Sequence, residues 1–199
     1  MAARWGLGWP SRGVLWAFAF AALYVLVFQI NRLFDPVFSV IDEKISMVFL
    51  PAFVRVAAIL VAGAAGALGL FLGALSLGLI QDLPTMANTT QAFFTALAPC
   101  LALFLLRFAL AGRPLAITLG LFFLLALFAS IFNSLLHHVF WDIYPHLLAQ
   151  PVTMTTFWQM LEGDFAGALL GFGVFAIVVR LFALPTSNFT DADSGSTPE

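Results

Sequence analysis

The chain has 199 residues, of which 62% are apolar and only 9% charged, with 8 Lys and Arg against 10 Asp and Glu. An average soluble domain carries roughly a quarter charged residues, so this composition excludes a water-soluble globular enzyme. A mean hydropathy of +1.04 agrees, and apolar runs of about twenty residues, the length that crosses a hydrocarbon core, recur along the chain. The predicted fold class is all-α: a polytopic helical membrane protein of about six transmembrane spans with the lipid bilayer as its solvent. A net charge of -2 without a basic cluster gives nucleic acid no surface to bind. The single Cys100, inside an apolar run after Pro99, excludes an intrachain disulfide framework and a Cys-x-x-Cys motif.

The first span is predicted from about Val14 to Leu33. A basic start at Arg4 and Arg12 raises the question of a signal peptide. The run is of full span length, and Gln29-Ile30-Asn31-Arg32 is a poor cleavage site, so the helix is expected to be retained. The apolar stretch Met47 to Ile80 is too long for one helix and is interrupted by Gly63 and Gly66. It reads as two short helices or one re-entrant pair. The fourth span is expected from Gln91 to Ala111, the fifth from Leu115 to Trp141 and the sixth from Phe165 to Leu184. Between the last two, Asp142 to Gly163 reads as the longest connection, with an interfacial segment. Residues 1–184 thus form one transmembrane domain, followed by a Ser/Thr/Asp/Pro-rich tail from 185 to 199 that is expected to be disordered.

Lys and Arg set the orientation. With six spans, or four and a re-entrant pair, Arg4, Arg12, Arg107, Arg113 and Arg180 share the side of both termini, which is then cytoplasmic. Arg32 and Lys44 lie outside, and Arg55 falls within the membrane. Reading Met47 to Ile80 as a single crossing would reverse the bias.

On that topology the outer helix ends hold most of the polar chemistry: Gln29, Asn31, Gln81, Asp82, Asn133, His137, His138, Glu162 and Asp164. Polar groups from several segments at one depth suit an outward-facing pocket for a small molecule, although helix ends are also simply wet. Arg55 is the strongest candidate, because an Arg at a helix centre costs roughly 2.5–3.5 kcal/mol on insertion scales. It either snorkels to the interface, or pairs with Asp164 or Glu162, or receives an anionic ligand group. Asp164 has a plainer reading as the cap of the sixth helix. Ser130, Asn133 and His137 fall on one helical face and must turn inward. The candidate ligand-binding set is therefore Arg55, Asn133, His137, Glu162 and Asp164.

Adjacent His137 and His138 point about 100° apart on a helix, so they do not readily share a metal. No metal or cofactor site is expected. Nucleophile-elbow, phosphate-loop and dinucleotide motifs are missing from the sequence, and a non-enzymatic protein is expected.

Glycines at four-residue spacing mark close helix packing. Gly163, Gly167 and Gly171 make one stripe and Gly69 and Gly73 another, read as a contact between spans three and six rather than a dimer face. Ala17 and Ala21 form a third small pair, a candidate docking face for another protein.

Phe49-Leu50-Pro51-Ala52 opening a short helix, the Gly-rich turn before Gly69-Leu70-Phe71-Leu72-Gly73, then Phe157-Trp158 and Glu162-Gly163-Asp164 with Gly167 resemble the bacterial membrane-associated sensor domains known by the acronym MASE. The resemblance covers roughly Asn31 to Phe182. It departs at Phe53, where that family usually has a small residue and Gly, and in the number of spans, commonly about eight there. It implies an inner-membrane sensing or binding module whose signalling output comes from a separate membrane or cytoplasmic protein partner. Six spans in about 200 residues with Ala17-x-x-x-Ala21 also resemble the substrate-binding subunits of energy-coupling-factor vitamin transporters. A structural subunit of a membrane complex is the third expectation.

Overall fold

A computed structural model describes residues 11–41, 45–110, 118–147 and 153–182. Among the described residues, four helices are long and apolar enough to cross a membrane: α1 (Ser11–Phe38), α4 (Thr85–Ala109), α5 (Leu119–Ile143) and α6 (Met154–Phe182). The stretch between the first two of these is a pair of shorter helices, α2 (Pro51–Ala62) and α3 (Ala64–Ile80). At 1.5 Å per residue these measure about 18 and 25 Å, less than the roughly 30 Å of a hydrocarbon core. A two-stranded antiparallel ribbon, β1 (Ser39–Ile41) with β2 (Ile45–Ser46), links α1 to α2, where the helical pattern gives no hint of strands. The tail expected over 185–199, together with Arg4, Lys44 and Arg113, lies outside the described residues.

Local chemistry explains the boundaries. Pro51 opens α2, where its missing N–H is no loss. Gly63 alone separates α2 from α3, with φ 55° and ψ -123°, a backbone conformation that side-chain-bearing residues avoid. Thr118 caps α5, its hydroxyl accepting from the Leu121 N–H at 3.1 Å. At α6, the Thr153 hydroxyl accepts from the Thr156 N–H at 3.3 Å, and the Thr156 hydroxyl accepts from the Thr153 N–H at 3.1 Å. This reciprocal cap starts α6 eleven residues before the expected Phe165. The expected connection Asp142 to Gly163 is correspondingly shorter: α5 runs to Ile143, a 3-10 turn follows at Pro145–Leu147, and α6 begins at Met154. Asp164 therefore sits in the third turn of α6 and does not cap it.

The helices alternate in direction except where glycine brings parallel neighbours together. Gly69 and Gly73 of α3 lie on Ala17 and Ala21 of α1, so these helices run side by side in the same sense. Gly163, Gly167 and Gly171 of α6 lie against Ser46, Phe49 and Phe53, the entry to α2. The two glycine stripes thus have separate partners, which corrects the expected contact between the third and sixth helices. Ala17 is buried under α3, so the Ala17/Ala21 face is an internal contact and not an open docking face. α2 touches each of the other five helices and buries Pro51, Ala52, Val54, Arg55, Val56, Ala58 and Ile59. The outside of the bundle is covered with exposed apolar side chains such as Leu15, Phe18, Phe104, Phe108 and Ile177, as lipid requires.

Gly167 gives a direct test of this packing, because a Cβ there would collide with the Phe49 backbone, whereas one at Gly173 meets nothing within 4 Å. Gly167→Leu should lower stability by at least about 1–3 kcal/mol, read as thermal unfolding in detergent. Gly173→Ala should be neutral or slightly stabilising. Equal effects at both positions would refute the packing described.

Candidate functional site

α1, α3 and α5 finish, and α2, α4 and α6 begin, around one end of the bundle. There the helices splay around a cavity of about 380 Å³. Arg12, Arg107 and Arg180 stand at the opposite end, at the start of α1 and in the last turns of α4 and α6. Five of the six helices supply residues to the cavity wall, mostly at helical spacing: Tyr24 and Phe28 from α1, Arg55 from α2, Gln91 and Thr95 from α4, Asn133, His137 and Trp141 from α5, Met160 and Asp164 from α6. Gln81, which follows α3, and the exposed Arg32 stand at its rim.

The floor is polar. Arg55, one turn into α2 and 4% exposed, places Nη2 2.7 Å from Oδ1 of Asp164, itself 2% exposed. Asn133 donates from Nδ2 to the other carboxylate oxygen at 2.6 Å. The Arg55 guanidinium also lies 5.1 Å from the centre of the Phe49 ring, a cation–π contact. Side chains from α2, α5 and α6 therefore meet at one carboxylate. A buried pair held this way contributes little when compared with apolar residues of equal volume, but removal of one partner strands the other charge and costs about 3–5 kcal/mol.

His137 extends the cluster along α5. Its Nδ1 lies 3.1 Å from the Asn133 carbonyl. A carbonyl can only accept, so Nδ1 carries the hydrogen, and in the neutral ring Nε2 becomes the acceptor. Phe140 and Trp141 flank the imidazole edge-on at 6.3 and 6.0 Å between ring centres. Asn31, buried on α1, accepts from the Leu50 N–H at 2.8 Å and so ties the entry of α2 to α1. Phe49 in turn donates its N–H to the Gly163 carbonyl at 2.9 Å.

Of the five candidate residues, Arg55, Asn133, His137 and Asp164 come together in one cavity. Glu162 does not: two residues earlier on α6 it faces away and is exposed, so the charge partner of Arg55 is Asp164. His138 also turns aside, its two ring nitrogens 3.1 and 3.2 Å from the Ser134 and Thr153 carbonyls. Ser130 spends its hydroxyl on the Ala126 carbonyl at 2.8 Å and lines a second void of about 10 Å³ beneath the ion pair. Among the described residues, no group of three or more His, Cys, Asp or Glu is placed to hold a metal. Tyr24, Phe28, Gln91, Thr95 and Met160 were not among the expected site residues. The pairs Tyr24/Phe28, Gln91/Thr95 and Met160/Asp164, each four apart, are the signal that would have found them.

Comparison with protein-family models, with curated proteins and with solved structures finds no match.

Arg55→Met or Asp164→Leu alone should each lower stability by about 3–5 kcal/mol, while the double variant should recover much of that loss. Denaturant unfolding of the four proteins in detergent forms the cycle. Strictly additive losses would show that the two groups are not coupled.

Proposed function

We propose that the chain is a membrane-embedded binding module that admits a small molecule to the cavity from the outer side and acts through a separate protein. One observation carries this reading: residues from five of the six helices converge on a 380 Å³ cavity whose floor is a buried ion pair. Small-molecule sites span roughly 300–1,000 Å³ and combine apolar walls with a few polar groups. Phe28, Phe49, Phe140 and Trp141 supply the walls here. Ionisable groups inside a membrane are functional candidates by default.

The orientation belongs to the same reading. With α2 and α3 as one out-and-back excursion, α1, α4, α5 and α6 make four crossings and both ends of the domain face one side. Arg12, Arg107 and Arg180 at that end make it cytoplasmic, and the cavity opens outward. Two of the segments that resemble MASE-type sensor domains also touch: Phe49 lies in the glycine groove of Gly163 and Gly167. On that resemblance the module is sensor-like and belongs in a bacterial inner membrane, with a kinase or cyclase as the kind of output partner. The transporter alternative shares the same cavity, with the Ala17/Ala21 face that would have docked a partner occupied by α3.

In a Cys100→Ala background, Gln91→Cys should react with a membrane-impermeant thiol reagent applied to the outside of intact cells. Arg107→Cys should react only after permeabilisation. Labelling with the opposite sidedness would turn the cavity toward the cytoplasm, and unreactive Gln91→Cys in both conditions would overturn an open binding cavity. Affinity purification from native membranes then separates the classes: a stoichiometric kinase or cyclase fits the sensor, and an ATPase pair would replace it with the transporter.

A further inference from the structure

The geometry points to an α-amino acid, or an equivalent small zwitterion with its amine and carboxylate on neighbouring carbons, as the class of molecule this cavity takes. The inference rests on the cavity being a binding site, as proposed above, and adds what kind of ligand its floor recognises.

Charge balance is the first argument. Arg55 and Asp164 are both buried and cancel each other. A ligand of a single sign would add an uncompensated charge to a low-dielectric bundle. A zwitterion brings its own balance and can lie alongside the pair head to tail. Arg32 at the rim does not upset this, since it is exposed and screened by water and salt.

Unused bonding capacity is the second argument, and it is sorted by sign. A guanidinium has five N–H groups. The contact to Asp164 runs through Nη2 alone, and the buried Nε has no partner. Donors therefore remain on the α2 side for a carboxylate. On the α5 and α6 side the surplus is in acceptors. Each oxygen of Asp164 takes one bond, from Arg55 and from Asn133, while a carboxylate accepts about four. The Oδ1 atom of Asn133 is buried without a partner, because the amide is turned to give its N–H to Asp164. One turn farther along, Nε2 of His137 is the acceptor of its neutral ring. An ammonium group needs three acceptors, and this corner offers Asp164, Asn133 and His137. Donors and acceptors lie on opposite sides of a single 2.7 Å contact, the closeness that a carboxylate and an amine on neighbouring carbons require. The aromatic walls at Phe28, Phe140 and Trp141 leave room for an apolar side chain.

The test uses the full chain in lipid nanodiscs and reads thermal stability and titrated affinity with each of the twenty proteinogenic L-amino acids. For the tightest binder, the decarboxylated amine and the deaminated acid follow, which keep its side chain and one charge each. At least one amino acid should stabilise the protein, and each single-charge analogue should bind at least about tenfold more weakly, the effect of losing one charge-assisted contact. Gln91→Trp, which puts an indole into the cavity from α4, should abolish the effect while the protein still folds. Arg55→Lys should weaken the amino acid at least about tenfold and leave the amine analogue unchanged. A single-charge analogue that binds as tightly as the amino acid would overturn the zwitterion and leave the cavity a binding site. So would the absence of any response to the twenty amino acids when Gln91→Cys is labelled from outside. Failure of that labelling would remove both proposals.

Discussion

A guanidinium one helical turn inside a lipid-facing bundle has to find its counter-charge within the protein, and much of this architecture follows from how Arg55 does so. Asp has a short side chain, so Asp164 reaches Arg55 only if the backbones of α6 and the α2 entry come unusually close. Gly163 and Gly167, on either side of Asp164 in sequence, permit that approach, with Phe49 and the residues around it lying where side chains would otherwise stand. The backbone bond from Phe49 to Gly163 and the bond that the Leu50 N–H donates to Asn31 Oδ1 fix the position of α2 once it is there. Charge pairing and glycine packing are therefore a single arrangement here: either one without the other would leave a buried charge exposed to hydrocarbon or an empty groove.

The same pairing accounts for the cavity. Helices packed tightly at both ends would leave no polar surroundings for an ion pair. This bundle is filled at one end by Leu106, Leu121, Phe122 and Leu125 and opens at the other around amides, hydroxyls and rings. Pro99 lies between these regions. It has no N–H, so the Thr95 carbonyl of α4 loses its helical partner at the level where the wall becomes polar.

The helical class, the break at Gly63 and the four long apolar helices were legible in the sequence because hydropathy and glycine act locally. So were Arg55, Asn133, His137 and Asp164, since an ionisable or amide side chain in an apolar run has few other uses. The start of α6 was not, because Thr153 and Thr156 cap each other across three residues that look like loop. That shift of eleven residues is why Asp164 looked like a cap and why Glu162 seemed equally able to reach Arg55. Positions two apart on a helix face about 200° apart, and only the register of the folded helix decides between them. The partners of the glycine stripes were hidden for a related reason: small-residue spacing shows that a backbone comes close but carries no information about which one.

α2 is the shortest helix and yet touches all the others. The five other helices form an arc, α1–α3–α4–α5–α6, that can draw in only as tightly as the element inside it allows, so the girth of the bundle is governed by twelve residues whose buried members include Ala52, Val54, Val56 and Ala58. Larger side chains along this axis would push the outer helices apart on every side at once, and the mouth of the cavity would widen with them. The dimensions of the site are thus written in the side-chain volumes of an element that lends the cavity wall only Arg55.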